Sequence, residues 1–186
     1  MTEQRIPSKA ELLEALRSSE REVAAKVGGL PAGEFEKGCY EGGWNGRQIL
    51  AHVASIEWTY PRLLDLAKQG TPLGPAERPG QVQRTEPGEA AGLPTRPMQG
   101  GVDGYNQRQV EKRAEASVAE LLAEFQRNRA ATIAAVEGAE EALLRTPIRS
   151  AGGVTGALAS VIHAIAVDHV RAHLNDITGA EATGVH

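Results

Sequence analysis

The stretch Leu158-Ala-Ser-Val-Ile-His-Ala-Ile-Ala-Val-Asp-His-Val-Arg-Ala-His-Leu-Asn-Asp-Ile177 decides the fold. Its Leu158, Ile162, Ile165, His169, His173 and Ile177 recur at intervals of three and four, the spacing of one helix face. Between Ala151 and Ala180 the only acidic or basic residues besides histidine are Asp168, Arg171 and Asp176, so this segment should be the most buried helix of the molecule. It follows Thr155, and Gly179 supplies the expected C-terminal cap.

Three more amphipathic segments share this logic. The first opens on Ser8-Lys-Ala-Glu11, where serine and glutamate can satisfy orphan backbone N–H groups reciprocally. It should run to about Lys26 with Leu12, Leu13, Leu16 and Val23 as its apolar stripe. The second is capped by Asn45, with Gln48 three residues on, and places Ile49, Val53, Ile56, Tyr60, Leu63 and Leu64 at helical spacing. Pro61 should kink it shortly past His52, because a proline inside a helix removes one donor and clashes with a carbonyl. The third opens on Ser117-Val-Ala-Glu120 and carries Val118, Leu121, Leu122, Phe125, Ile133 and Val136.

From 70 to 101 the pattern changes: Pro72, Pro75, Pro79, Pro87, Pro94 and Pro97 alternate with Gly74, Gly80, Gly88 and Gly92, without apolar periodicity. A segment this long reads as a crossover, which a bundle with its second and third helices parallel would need. A short helix should follow from Asp103 to about Ala114, and no alternating run signals a strand. The expected fold is all-α: one domain over 1–186, a four-helix bundle with a long crossover between helices 2 and 3.

Composition narrows the function. With 186 residues, 41% hydrophobic, 24% charged and a formal net charge of −4, the chain reads as a soluble domain. No basic block or aromatic-studded basic stripe suits nucleic acid. No basic start followed by an apolar run opens the chain, and no stretch of about eighteen apolar residues suits a membrane. The lone Cys39 reads as a loop residue and fits a reducing compartment, so a cytoplasmic location is expected. HExxH, Glu-x-x-His, GxGxxG, GxxxxGK[ST] and GxSxG are all absent.

The histidines remain. At 100° per residue, His52 lies on the stripe between Ile49 and Ile56, and His169 and His173 share the stripe of the last helix, offset by roughly 40°. All three should face the interior, whereas His163 lies roughly 120° from His169 and falls outside the face. A histidine on an apolar face is more often a core residue with one hydrogen bond than a ligand. Three of them, however, bring six ring nitrogens into an apolar core, where each unpaired polar group costs about 1–3 kcal/mol. A divalent cation would satisfy three at once; the residues alone leave both readings open.

The run Gly43-Trp-Asn-Gly-Arg-Gln-Ile-Leu-Ala-His52-Val-Ala resembles the second-helix motif of the DinB/YfiT-like superfamily. Asp168-His-Val-Arg-Ala-His173-Leu-Asn-Asp-Ile177 resembles that superfamily's last-helix HxxxHxxxI. Val102-Asp-Gly-Tyr-Asn106 followed by Ser117-Val-Ala-Glu-Leu-Leu122 is similar to its third-helix entry. The resemblance implies a four-helix bundle with a divalent metal, nickel or zinc, on His52, His169 and His173. It further implies thiol S-transfer or isomerisation using bacillithiol, mycothiol or glutathione, with a small electrophile as second substrate. By length, the chain is not expected to carry the extra C-terminal domain of the mycothiol-dependent maleylpyruvate isomerases.

Three neutral imidazoles leave a metal's charge uncompensated and a coordination position open, as in catalytic sites. A thiol there would lose its proton and a water would be acidified, so transfer and hydrolysis both follow from the residues, and the resemblance favours transfer. A non-catalytic small-molecule-binding protein with a structural metal is the alternative of another class. Asp176, on nearly the same face as His169 and His173, could accept an imidazole N–H or act as a base. Gln48 and Thr59, flanking His52, are candidates to touch a bound ligand. Trp44 reads as a staple or pocket wall, and Trp58 and Tyr60 as packing residues. A homodimer is the generic expectation for such a bundle.

Overall fold

The computed structural model describes residues 5–37, 44–70 and 101–178. The crossover interior, Cys39 and the Gly179 cap lie outside the described residues.

All three expected cap pairs form. The Ser8 hydroxyl accepts the Glu11 N–H at 3.3 Å while the Glu11 carboxylate accepts the Ser8 N–H at 2.9 Å, opening α1 (Lys9–Gly29). Asn45 and Gln48 exchange the same pair of bonds at 2.9 Å each to open α2 (Gly46–Glu57). Ser117 and Glu120 open α5 (Val118–Glu137). α2 stops at Trp58, and α3 (Tyr60–Lys68) restarts with Pro61 in its first turn, where the missing N–H is harmless. The carbonyl four residues before Pro61 belongs to Glu57, and the Thr132 hydroxyl reaches it at 3.5 Å. The expected short helix is α4 (Gly101–Glu111).

Side-chain pairs give the helix directions. Arg47 donates to the Ala114 carbonyl and Asn128 to that of Ala54, so α2 and α5 run parallel. Lys9 reaches the carbonyl of Ala139 and Arg129 that of Leu16, so α1 opposes α5. Glu22 pairs with Arg171 and Lys26 donates to Asn175, so α1 runs parallel to the last helix. Parallel neighbours α2 and α5 cannot be joined by a tight turn, which accounts for the long connection between them.

Three expectations need correction. A short antiparallel hairpin follows α6 (Glu141–Leu144): β1 (Pro147–Arg149) pairs with β2 (Thr155–Ala157). Three-residue strands are too short to show alternation; their register is set by a turn in which Gly153 takes φ +85°. The most buried helix is α2 rather than the last one, since nine of its twelve residues are buried.

The last helix is also not one continuous α-helix. α7 (Leu158–His163) passes through a π-helical turn, Ala164–Asp168, into α8 (His169–Thr178). The wider turn shifts the helical phase, so Ile162 is fully buried and Ile165 only partly, although 100° arithmetic puts both on the stripe of His169.

The core falls into two apolar clusters, one around Leu12, Leu16, Leu64, Leu158 and Ile162, the other around Phe35, Ile49, Leu50, Phe125 and Leu174. Arg129 has no exposed surface and lies between them: its guanidinium sits 5.0 Å over the Phe125 ring of the second cluster and donates to the Leu16 and Ala166 carbonyls of the first. Its Nε lies 2.7 Å from Glu57 Oε1, and its Nη atoms donate to Glu57 Oε2 at 3.0 Å, Ser19 Oγ at 2.7 Å and the Ala166 carbonyl at 2.6 Å. Burial pushes the Glu57 carboxyl upward and Arg129 opposes that rise. Removing one partner leaves the other charge buried, so Arg129→Met should lower stability by about 3–5 kcal/mol. The double variant Arg129→Met/Glu57→Leu should recover most of that loss. Denaturant midpoints measured at one pH check this; a double variant as weak as the single one would refute it.

Candidate metal centre

α2 and α8 run antiparallel, with Gly46 of α2 packed so closely on Phe35 and Ile177 that an added Cβ would lie 3.2 Å from the Phe35 Cα and 3.4 Å from an Ile177 methyl. That close approach brings the middle of α2 to the start of α8. His52, His169 and His173 meet there, each offering a nitrogen within 4.8 Å of the other two. The Nε2 atoms of His52 and His169 are 3.3 Å apart. His52 lies edge-on to both other rings, with centroids at 5.6 Å from His169 and 5.1 Å from His173. A zinc–nitrogen distance of about 2.0–2.1 Å with tetrahedral angles places two ligand nitrogens roughly 3.3 Å apart, so the spacing fits a shared cation.

The electrostatics point the same way. Burial, reinforced by the neighbouring histidines, lowers His52 to about 3 and His169 to about 4. Burial also lowers His173, against the opposing pull of Asp176. All three are therefore neutral near pH 7, the form that offers a lone pair to a metal. The close approach of the His52 and His169 Nε2 atoms, each on a ring held neutral, sets two lone-pair-bearing nitrogens against a common point. The trio thus fits a divalent cation.

Each candidate can be placed. Asp176 Oδ2 lies 3.2 Å from His173 Nδ1, so it accepts that N–H and leaves Nε2 as the acceptor nitrogen. Gln48 spends its side chain in the α2 cap and does not line the cleft described below. Thr59 does line that cleft, while its hydroxyl donates to the Ile56 carbonyl at 2.6 Å. Trp44 stacks near His52 with centroids 5.3 Å apart and donates to Gln107 of α4 at 3.0 Å. His163 points away and pairs with Asp168 at 3.1 Å. Tyr60 is buried and donates to the Ile165 carbonyl at 2.9 Å, whereas Trp58, expected to pack, is 39% exposed.

His169 is only partly buried because it opens, with His52, onto a cleft of about 920 Å³. The cleft is closed by α3, by Tyr105 and Asn106 of α4 and by the hairpin from Ile148 to Val154. Sequence reading missed the hairpin wall: only the Gly152-Gly153 pair hints at a turn, and nothing local ties it to the histidines.

A four-helix bundle holding three histidines at the mouth of a cleft defines a metal-site bundle class. A sequence profile of the DinB superfamily matches residues 15–177, and the chain belongs to that superfamily. No curated protein matches the chain. A crystal structure of the mycothiol-dependent maleylpyruvate isomerase is similar at TM-score 0.66 and 18% identity, over 95% of this chain and 63% of that one. A mutant of that isomerase gives TM-score 0.65 and 16% identity, over 92% of this chain and 61% of that one. The chain therefore spans less than two thirds of the length of these structures, and the likeness is one of fold. No helix among the described residues is long and apolar enough to cross a membrane.

The lowered histidines have a consequence for the metal-free protein. Unfolded histidines take protons near 6.5, whereas His169 does so near 4 and His52 near 3 when folded. Between those limits the unfolded state binds more protons, so stability present above 6.5 is lost as pH falls. In chelator, wild type should lose stability between pH 6.5 and 5 more steeply than the His52→Gln/His169→Gln variant. Parallel pH profiles from urea unfolding would refute the neutral, buried trio.

Proposed function

We propose that His52, His169 and His173 hold one divalent metal, nickel or zinc. On this reading the protein is a cytoplasmic thiol-dependent transferase that joins a low-molecular-weight thiol to a small electrophile. The observation that carries it is the convergence of three neutral imidazoles, without a carboxylate among them, at the edge of a cleft large enough for two small reactants. Membership of the DinB superfamily and the fold shared with a mycothiol-dependent isomerase support thiol chemistry over hydrolysis.

Held by His52, His169 and His173, a divalent cation would supply the Lewis acidity that lowers the pKa of a bound thiol. The chain's own residues do the rest. Asp176 fixes the tautomer and orientation of His173. Trp44 packs on the His52 ring and limits its rotation. Tyr60, buried and held fully protonated, anchors the π-helical turn through the Ile165 carbonyl just before His169. Ile56, Leu63 and Ile165 give the cleft apolar walls that exclude water around a charged nucleophile.

Metal analysis of the purified protein should give one equivalent per chain, lost in His52→Ala, and Asp176→Asn should weaken metal binding by about 10–100-fold. The loaded protein, offered bacillithiol, mycothiol and glutathione with a generic electrophile such as a chlorodinitrobenzene, should consume one thiol faster than the others. His169→Ala should slow that reaction by about 100-fold or more. Equal rates for wild type and His169→Ala with every thiol would end the transferase reading for that electrophile class.

A further inference from the structure

The cleft carries a charge the chain as a whole does not foretell. Acidic residues outnumber basic ones by 24 to 20, yet two guanidinium groups, Arg62 of α3 and Arg149 of β1, line the cleft. No carboxylate lines it among the described residues. Arg47, Arg113, Arg129 and Arg171 each pair with a glutamate. Among the described residues the two cleft arginines have no such partner: Arg62 lies over the Trp58 ring at 4.9 Å, and Arg149 projects from the hairpin, with Nη2 3.8 Å from where a Cβ on Gly153 would sit.

The apolar surface is equally concentrated. Trp58, Leu66 and Val154 are the large apolar side chains exposed among the described residues, and all three line this cleft. Exposed apolar side chains scattered singly need no explanation, but a cluster in a concave site marks a ligand surface. Guanidinium is suited to binding a carboxylate through two parallel hydrogen bonds, and an unpaired one beside apolar walls selects an anion with an apolar body.

We propose that the cleft binds a carboxylate-bearing ligand, its carboxylate on Arg149 with Arg62 beside it and its apolar body against Trp58, Leu66 and Val154. This rests on the cleft being the substrate site of the transfer reaction and names the chemistry of what enters it. The carboxylate belongs either to the electrophile or to the thiol, and matched probes separate the two.

The test is calorimetric binding to the protein as purified, with no turnover. 3-Phenylpropanoate and its neutral amide represent the electrophile, and S-methylglutathione and its dimethyl ester the thiol. In at least one pair the acid should bind at least about ten-fold more tightly than its neutral partner, and the pair showing it identifies the source. Arg149→Gln should abolish that preference and Arg149→Lys restore part of it. Arg149 is exposed, so both variants should melt with wild type. Absence of a preference in both pairs would overturn the proposal. So would a preference that survives in Arg149→Gln, as it would for an acid held by the three-histidine site. Because nothing reacts in this measurement, a failed thiol panel leaves its result standing, and the reverse also holds.

Discussion

The buried contact between Arg129 and Glu57 is the constraint around which this bundle is arranged. One guanidinium joins α1 through Ser19 and Leu16, α2 through Glu57 and the last helix through Ala166, all from its seat on α5. Apolar packing alone tolerates sliding and rotation of helices, because one aliphatic contact substitutes for another at small cost. A buried charge allows no such exchange, since each missed partner costs several kcal/mol. Ion pairing therefore adds little net stability but fixes which helical turns face one another. Glu57 lies five residues after His52, and Ala166 three before His169, so the contact sets the spacing between the two helices that bear the histidines.

The π-helical turn between α7 and α8 then adjusts what that spacing presents. A straight helix carrying Ile162 inward would carry His169 inward with it, seven residues on. The widened turn separates the two: Ile162 stays in the core while His169 reaches the cleft, and His173 remains buried behind it. The Ala166 carbonyl in this turn accepts from Arg129, and the Ile165 carbonyl from Tyr60. The irregular backbone is thus held by side chains from two other helices.

Much of this was legible in the sequence, for physical reasons. Ser8, Asn45 and Ser117 announce helix starts because a cap acts over three residues, and local chemistry is what a sequence displays. The histidine trio was visible because helix periodicity projects single residues onto faces. What stayed hidden depends on several segments at once. Arg129 and Thr132 interrupt the apolar stripe of α5 at positions that should have faced the core, a signal that points to a buried polar partner without naming Glu57. The π turn leaves no mark in the hydrophobic pattern, and the hairpin is too brief to show one. Arg149 looks like any surface arginine until the hairpin folds it against the cleft.

Charge balance ties the histidines to the cleft. Three imidazole ligands contribute no negative charge, so a dication on them would keep its full +2, and Arg62 and Arg149 add two further positive charges nearby. No carboxylate among the described cleft residues offsets them, so with a dication bound the field in the cleft would favour anions. A neutral thiol would relieve part of this by releasing its proton on binding, and a carboxylate on either reactant would relieve more. A carboxylate ligand in place of one histidine would hold a cation more firmly but remove the field that drives proton loss. The absence of acids from the trio and from the described cleft walls is therefore one property: Asp176 offsets part of the charge from behind His173, and the rest of what would neutralise a metal-loaded site would have to arrive with the ligand.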